Sequence, residues 1–308
     1  MAGVLEGFSI IATVVAVGWL LAHLKVLGIE AQNVLSKVAF YVASPALLLS
    51  VMQRTPLDAV LSPNLATAAV GAIGVGVIYL LITRAKWRDS LGASMIGALC
   101  AGYVNAGNLG IPIAQYVLGD VAWVAPTLLL QLLILTPVAM AVLDADARGE
   151  RPTPLRSLGR MGSNPITLGA IAGLLLTLTD TTLPTVLARP IDLLGSMAVP
   201  SMLIAFGVSL RLGPKPATGG SAPQVWTLVA LKTMAQPLLA WLVGAFVFGL
   251  DGPHLFAVVV LAALPTAQNV FTYAVKYNRA VTLSRDVVFI STFVSVPVII
   301  VISALFHL

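Results

Sequence analysis

Charge is scarce in this chain. Of its 308 residues only 9% are Asp, Glu, Lys or Arg, and 58% are hydrophobic; about a quarter of an average soluble domain is charged. An ordinary soluble domain is therefore excluded. Cysteine is nearly missing: Cys100 stands alone inside an apolar run, so no intrachain disulfide can form. The three histidines, His23, His254 and His307, are all peripheral to the apolar runs. There is no His-Glu-x-x-His pair for a metalloprotease and no Gly-rich phosphate loop ending in Lys-Ser or Lys-Thr, which rules out ATP hydrolysis of that type. Nothing pairs a buried serine with a buried histidine. The expectation is a non-enzyme with no catalytic residue, no metal site and no cofactor. The ~10-residue alternating segments of a β-barrel are also missing. The N-terminus, Met-Ala-Gly-Val-Leu-Glu, lacks the basic start of a cleaved signal and reads as the beginning of a first span.

What the chain does have is long apolar runs. A bilayer requires ~20 residues per helix, and the runs predict ten spans, at 4–24, 34–53, 65–83, 91–118, 122–143, 164–180, 188–210, 224–248, 254–275 and 285–306. The expected fold class is an all-α polytopic membrane protein. A charged linker at 144–163, containing Pro and Gly, separates five spans (1–143) from five more (164–308). A second flexible connection, Gly213 to Pro223, joins spans seven and eight. The net charge of +5 and pI near 9.6 do not argue for a nucleic-acid partner, because the basic residues sit in short loops. If alternate loops are assigned to opposite sides, fourteen of the seventeen Lys and Arg fall on one side. Arg54 and Arg189 fall on the other, and Lys232 lies within a span. The rich side is cytoplasmic by the positive-inside rule, which puts both termini outside.

Five spans per half give the halves opposite orientations. The halves also share markers. Span two carries Ala43-Ser44-Pro45-Ala46 and span seven carries Ala198-Val199-Pro200-Ser201. Spans four and nine each carry a polar interruption, Asn105-Ala-Gly107-Asn108-Leu-Gly-Ile-Pro112 and Pro265-Thr-Ala-Gln268-Asn269. Second with seventh and fourth with ninth is the pairing that an inverted five-plus-five repeat requires. Unpaired polar groups cost several kcal/mol in hydrocarbon. Placing them twice at mid-membrane suggests a polar site, and broken helices in corresponding places point to a transporter's binding site.

Each interruption has a mechanism. Pro112 lacks an N–H and crowds the carbonyl of Asn108, so the helix is expected to open there; Pro265 does the same to the carbonyl of Leu261. Asn105 and Asn108 lie one turn apart on one face, and Gln268 and Asn269 follow Pro265 within a turn. If both helices break and cross, two half-helix N-termini face one point, and their dipoles and amide donors suit an anion. The plainer alternative is that the amides pair with each other and lock two kinked helices. Gly107, Ser44 and Ser201 join the candidate binding set, with Pro45 and Pro200 as further helix breakers. Lys232, eight residues into span eight, with Gln236 one turn on, could attract an anion or take part in coupling, or could snorkel to the cytoplasmic face. Asp192, at the same offset from Pro200 as Lys37 from Pro45, is a further coupling candidate or a solvated boundary charge.

The segments Gly102-Tyr-Val-Asn105-Ala-Gly-Asn108-Leu-Gly-Ile-Pro112 and Ala263-Leu-Pro265-Thr-Ala-Gln268-Asn269-Val-Phe resemble the auxin efflux carrier family, as does Leu35-Ser-Lys37-Val-Ala-Phe-Tyr-Val-Ala-Ser-Pro45. The long central hydrophilic loop of plant members is missing, so the chain looks like a compact prokaryotic member of a bacterial inner membrane. The resemblance implies a bile-acid-transporter-like fold in which helices four and nine cross. It implies a scaffold of spans one, two, six and seven and an elevator-like transport domain of three to five and eight to ten. It implies a homodimer through the scaffold, and small organic anions such as mono- or dicarboxylates as substrates. Sodium-coupled bile-acid relatives place a glutamate four residues before the glutamine of their helix-nine Gln-Asn pair. Here that position is Leu264, which favours proton coupling or uniport over sodium symport. A membrane receptor using the same pocket, and a channel, are the alternatives.

Overall fold

Helix accounts for nearly all of the regular structure in a computed structural model of the chain, which describes residues 2–53, 62–149, 165–179, 181–218 and 221–306. No strand occurs among the described residues, only one isolated bridge. Most of the expected linker at 144–163 lies outside them. In chain order the helices are α1 (Ala2–His23), α2 (Ile29–Val51), α3 (Pro63–Lys86), α4 (Leu91–Gly102), α5 (106–118), α6 (Ala122–Ala147), α7 (Pro165–Leu178), α8 (Thr185–Leu212), α9 (Ala222–Phe246), α10 (Gly252–Ala262), α11 (Gln268–Tyr277) and α12 (Val281–Phe306). Six of these, α2, α3, α6, α8, α9 and α12, are each long and apolar enough to cross a bilayer. The chain is a polytopic all-α membrane protein.

Local chemistry starts and stops these helices. Ser62 accepts a hydrogen bond from the Leu65 N–H at 3.2 Å and Pro63 follows at the first helical position, which together open α3. Arg84 and Lys86 lie in its last turn, against the negative end of the helix dipole. Ser90 opens α4 in the same way, accepting from Ala93 at 3.3 Å.

Internal prolines follow a recurring pattern. A π-helical turn at Ala39–Ala43 precedes Pro45, one at Ala106–Gly110 precedes Pro112, one at Gln131–Leu135 precedes Pro137, and one at Leu231–Ala235 precedes Pro237. Each turn ends two residues before its proline. A proline has no N–H and its ring crowds the carbonyl four residues back; a widened turn moves that carbonyl aside without ending the helix. Pro45 therefore lies in a continuous α2. In α8 the chain instead makes a single turn residue, Met197, ahead of Pro200.

Helices α1, α2, α7 and α8 pack on one another in a crossed pattern. α1 lies along the Ala198–Leu212 half of α8, and α7 lies along the half of α2 that begins at Ser44. Glycines allow these approaches: a Cβ on Gly18 would strike the Ile204 backbone, one on Gly207 would strike the Val15 carbonyl, and one on Gly169 would strike the Pro45 carbonyl. The remaining helices surround the α4–α5 and α10–α11 junctions. One buried cluster there includes Tyr79, Ile96, Tyr103, Leu129 and Tyr273, and another includes Leu109, Val124, Leu261 and Leu264.

Candidate functional site

The two interruptions meet. Between α4 and α5 the chain leaves the helix, extended at Tyr103 and turning at Asn105, and between α10 and α11 it is non-helical around Pro265–Thr266. The two segments cross antiparallel at a bridge between Val104 and Thr266. The Asn105 N–H donates to the Pro265 carbonyl at 2.8 Å, and the Ala267 N–H donates to the Tyr103 carbonyl at 3.1 Å. Backbone groups that two broken helices would leave bare in the membrane thus satisfy one another.

The first opening lies at Tyr103–Asn105, not at the Asn108 carbonyl, where Pro112 was expected to place it. The π turn at Ala106–Gly110, in which the Ile111 N–H donates to the Ala106 carbonyl, absorbs that proline. Pro265 does stand in the non-helical segment, beyond the last residue of α10, Ala262.

Side chains tie the crossing together. Asn105 is 2% exposed, and its Nδ2 donates to Gln268 Oε1 at 2.8 Å. Its Oδ1 accepts from the Asn108 N–H at 3.3 Å, so the same residue caps α5. Asn108 Nδ2 donates to the same Gln268 oxygen at 3.4 Å. Three of the four expected amides therefore share one network, as the helix-locking alternative requires. Asn108 nonetheless remains partly exposed, and Gly107 is exposed. Asn269 does not join this network; it lies near the buried Tyr103 and Tyr273 hydroxyls. Tyr103 also shares a 2.9 Å hydrogen bond with Thr136.

These residues line a cavity of about 140 Å³. Its crossover wall includes Asn105, Gly107, Asn108, Ala267 and Asn269; its facing wall is apolar, with Leu47 and Leu48 of α2 and Val199 and Met202 of α8. Ser44 and Ser201 are not among the lining residues; α2 and α8 instead present Leu47, Leu48, Val199 and Met202. The first-turn N–H groups of α5 and α11 lack intrahelical acceptors by construction, and Gly107 and Asn269 hold two of them at the cavity wall. A larger groove of about 690 Å³, between α9 and α12, is lined by Met234, Trp241, Val301 and similar side chains, with no amide or charged group.

Lys232 and Gln236 lie behind the crossing, fully or nearly fully buried. Lys232 Nζ donates to Gln236 Oε1 and to the Ala262 carbonyl, the latter at 3.1 Å. Gln236 Nε2 donates to the Gly102 carbonyl at 3.1 Å. Lys232 thus does not snorkel. Asp192 is remote from the crossing and accepts from Ser50 of α2 at 2.7 Å. Leu264 is fully buried in the apolar cluster with Leu109 and Leu261. No group of three or more His, Cys, Asp or Glu side chains is placed to hold a metal ion among the described residues.

Sequence reasoning missed three contributors. Gln131 Nε2 donates to the Val104 carbonyl at 2.7 Å, Thr266 Oγ1 donates to the Cys100 carbonyl at 2.6 Å, and Ser291 Oγ accepts from the Thr266 N–H at 3.2 Å. A signal existed for Gln131: it is one amide in the run Leu128-Leu-Leu-Gln-Leu-Leu133. Thr266 and Ser291 are ordinary in membrane helices and carried none.

The model of a family described as membrane transport protein matches residues 4–152 and 156–303. A protein of Rhizobium meliloti (strain 1021) named "Putative malonate transporter" is 26% identical over 289 residues, covering 92% of this chain and 89% of its own. A protein of Methanothermobacter thermautotrophicus named "Uncharacterized transporter" is 26% identical over 291 residues, 92% of each chain.

Proposed function

Since the chain belongs to the membrane transport protein family, that of the auxin efflux carriers, we propose that it is a secondary active carrier of small organic anions, mono- or dicarboxylates, bound at the crossover. The observation that carries this reading is the cavity. Asn105, Gly107, Asn108 and Asn269, at the starts of two helices, line it together with the apolar side chains of Leu47, Leu48, Val199 and Met202; Asn108 and Asn269 are the partly exposed amides among them. Helix N-termini and amide donors are suited to a carboxylate. The apolar wall excludes water and strengthens those interactions. A volume of about 140 Å³, against the ~300–1,000 Å³ pockets that hold drug-sized ligands, favours a short acid. The relative named for malonate has the same preference in its name.

In this reading α4 with α5 and α10 with α11 count as single spans, making ten. The halves form an inverted repeat, supported by the crossed packing of α1 on α8 and α7 on α2. Those four helices are the scaffold and the place for a homodimer contact. Spans three to five and eight to ten move as the elevator, carrying the crossover past the apolar wall of Leu47, Leu48, Val199 and Met202. The chain sits in a bacterial inner membrane with both termini outside. Leu264, buried among apolar side chains, leaves no carboxylate where sodium-coupled relatives have one, so proton coupling or uniport is favoured.

Purified protein in liposomes tests this. Radiolabelled malonate is expected to accumulate or exchange without a sodium gradient. Binding of malonate without any net flux would make the protein a receptor. Flux that requires sodium and ignores a pH gradient would overturn the coupling assignment.

A further inference from the structure

Two helix C-termini end inside the protein at the crossing, α4 at Gly102 and α10 at Ala262. Each helix end carries partial negative charge on its unpaired carbonyls. A mobile cation could neutralise that charge, but the space is occupied by a side chain of this chain. Lys232 Nζ reaches the Ala262 carbonyl at 3.1 Å, and it holds the oxygen of Gln236, whose nitrogen reaches the Gly102 carbonyl at 3.1 Å. One lysine and one glutamine thus span both helix ends in a single relay. Both partners of Nζ, the Gln236 and Ala262 oxygens, are acceptors, so an ammonium can donate to each. No carboxylate is within ion-pairing distance of it among the described residues.

We propose that Lys232 is a tethered cation: a positioning residue whose ammonium takes the place of a dissociable coupling ion between the two half-helix C-termini. It holds the crossing in register and adds positive potential behind the amide wall. The tethering stands on the crossover geometry alone; its benefit to a bound anion rests on the carrier reading above. A carrier built this way needs no sodium to assemble its site, because the charge is covalently present. Burying one lysine without an acid is costly in a membrane helix, and the two dipole ends and three hydrogen bonds are what offset it.

Chemical rescue tests the role directly. Lys232→Ala removes a fragment equivalent to n-propylammonium. Purified Lys232→Ala is expected to melt several degrees below the parent protein. Millimolar n-propylammonium chloride should restore most of that loss, while tetramethylammonium chloride and 1-propanol should not. The parent protein should respond to none of them, nor to exchange of sodium for choline. Lys232→Met, which fills the space without charge, should remain as impaired as Lys232→Ala. A Lys232→Met protein with parental melting and parental malonate flux would overturn the proposal, as would rescue by tetramethylammonium or 1-propanol equal to that by propylammonium. If Lys232→Ala is recovered only as aggregate, purification in propylammonium should return it monodisperse, and failure to do so counts against the proposal. The melting readout contains no anion, so a protein that passes it but moves no malonate retains the tethered cation and loses only the carrier assignment.

Discussion

The two interruptions use one backbone solution and divide the chemistry unequally. In both, a helix stops, a short non-helical segment crosses its counterpart, and a second helix begins. The first interruption faces the cavity: Asn105, Gly107 and Asn108 all line it. The second faces mostly inward: Thr266 and Gln268 are at most 1% exposed, and only Ala267 and Asn269 reach the cavity wall. Behind them the caps differ too, an amide nitrogen on the Gly102 carbonyl and a lysine nitrogen on the Ala262 carbonyl. Antiparallel backbone pairing fixes the crossing, while in the proposed carrier the side chains would make one arm the ligand face and the other its support. If that division holds, substitutions in the first arm should cost transport, and those in the second should cost stability.

Asn105→Ala should have the largest effect, because Asn105 serves both arms. It loses the 2.8 Å bond to Gln268 and the cap on α5 together. A buried hydrogen bond and an N-cap are each worth about 1 kcal/mol, and interhelical bonds in membranes average somewhat less. A loss of about 2 kcal/mol is expected, seen as a drop in melting temperature, with malonate flux abolished. Full flux in a stable Asn105→Ala protein would detach the crossing from the substrate site.

Asn108→Ala should separate the two arms cleanly. Its only side-chain bond in the crossing is the long 3.4 Å contact to Gln268, whose oxygen keeps Asn105. Stability should change by under about 0.5 kcal/mol, as for a substitution that leaves no buried group unpaired. Malonate affinity should fall at least tenfold, about 1.4 kcal/mol, by titration of a malonate-induced thermal shift. Unchanged affinity would move the site away from the first arm.

How far these arms could be read from sequence differs in the same way. The interruptions, their amides and the buried lysine were visible because polar residues in apolar runs are conspicuous. The place where the first helix opens was not. Pro112 pointed to Asn108, but a proline rule sees only its own helix. The opening is set by pairing with a segment some 160 residues away, Asn105 to Pro265 and Tyr103 to Ala267, and the π turn at Ala106–Gly110 then accommodates the proline. Ser44 and Ser201 show the same limit from the other side. They sit beside the matched prolines, yet helix rotation presents Leu47, Leu48, Val199 and Met202 to the cavity instead. Periodicity predicts that a face exists; packing of α7 on α2 and α1 on α8 decides which face looks inward.

Thr266→Val should have the smallest effect, and it probes the supporting arm alone. The hydroxyl donates to the Cys100 carbonyl at 2.6 Å, and the residue's backbone N–H, which donates to Ser291, is untouched by the change. Valine keeps the shape and removes one donor, leaving a buried carbonyl in the last turn of α4 one partner short. That costs about 1 kcal/mol. Because Thr266 is fully buried and does not line the cavity, malonate affinity should stay within about twofold, well below the tenfold loss expected at Asn108. The lower melting temperature and intact affinity together identify a supporting role. A Thr266→Val protein that melts normally but has lost malonate affinity would overturn the assignment: the second arm would then hold the ligand as well.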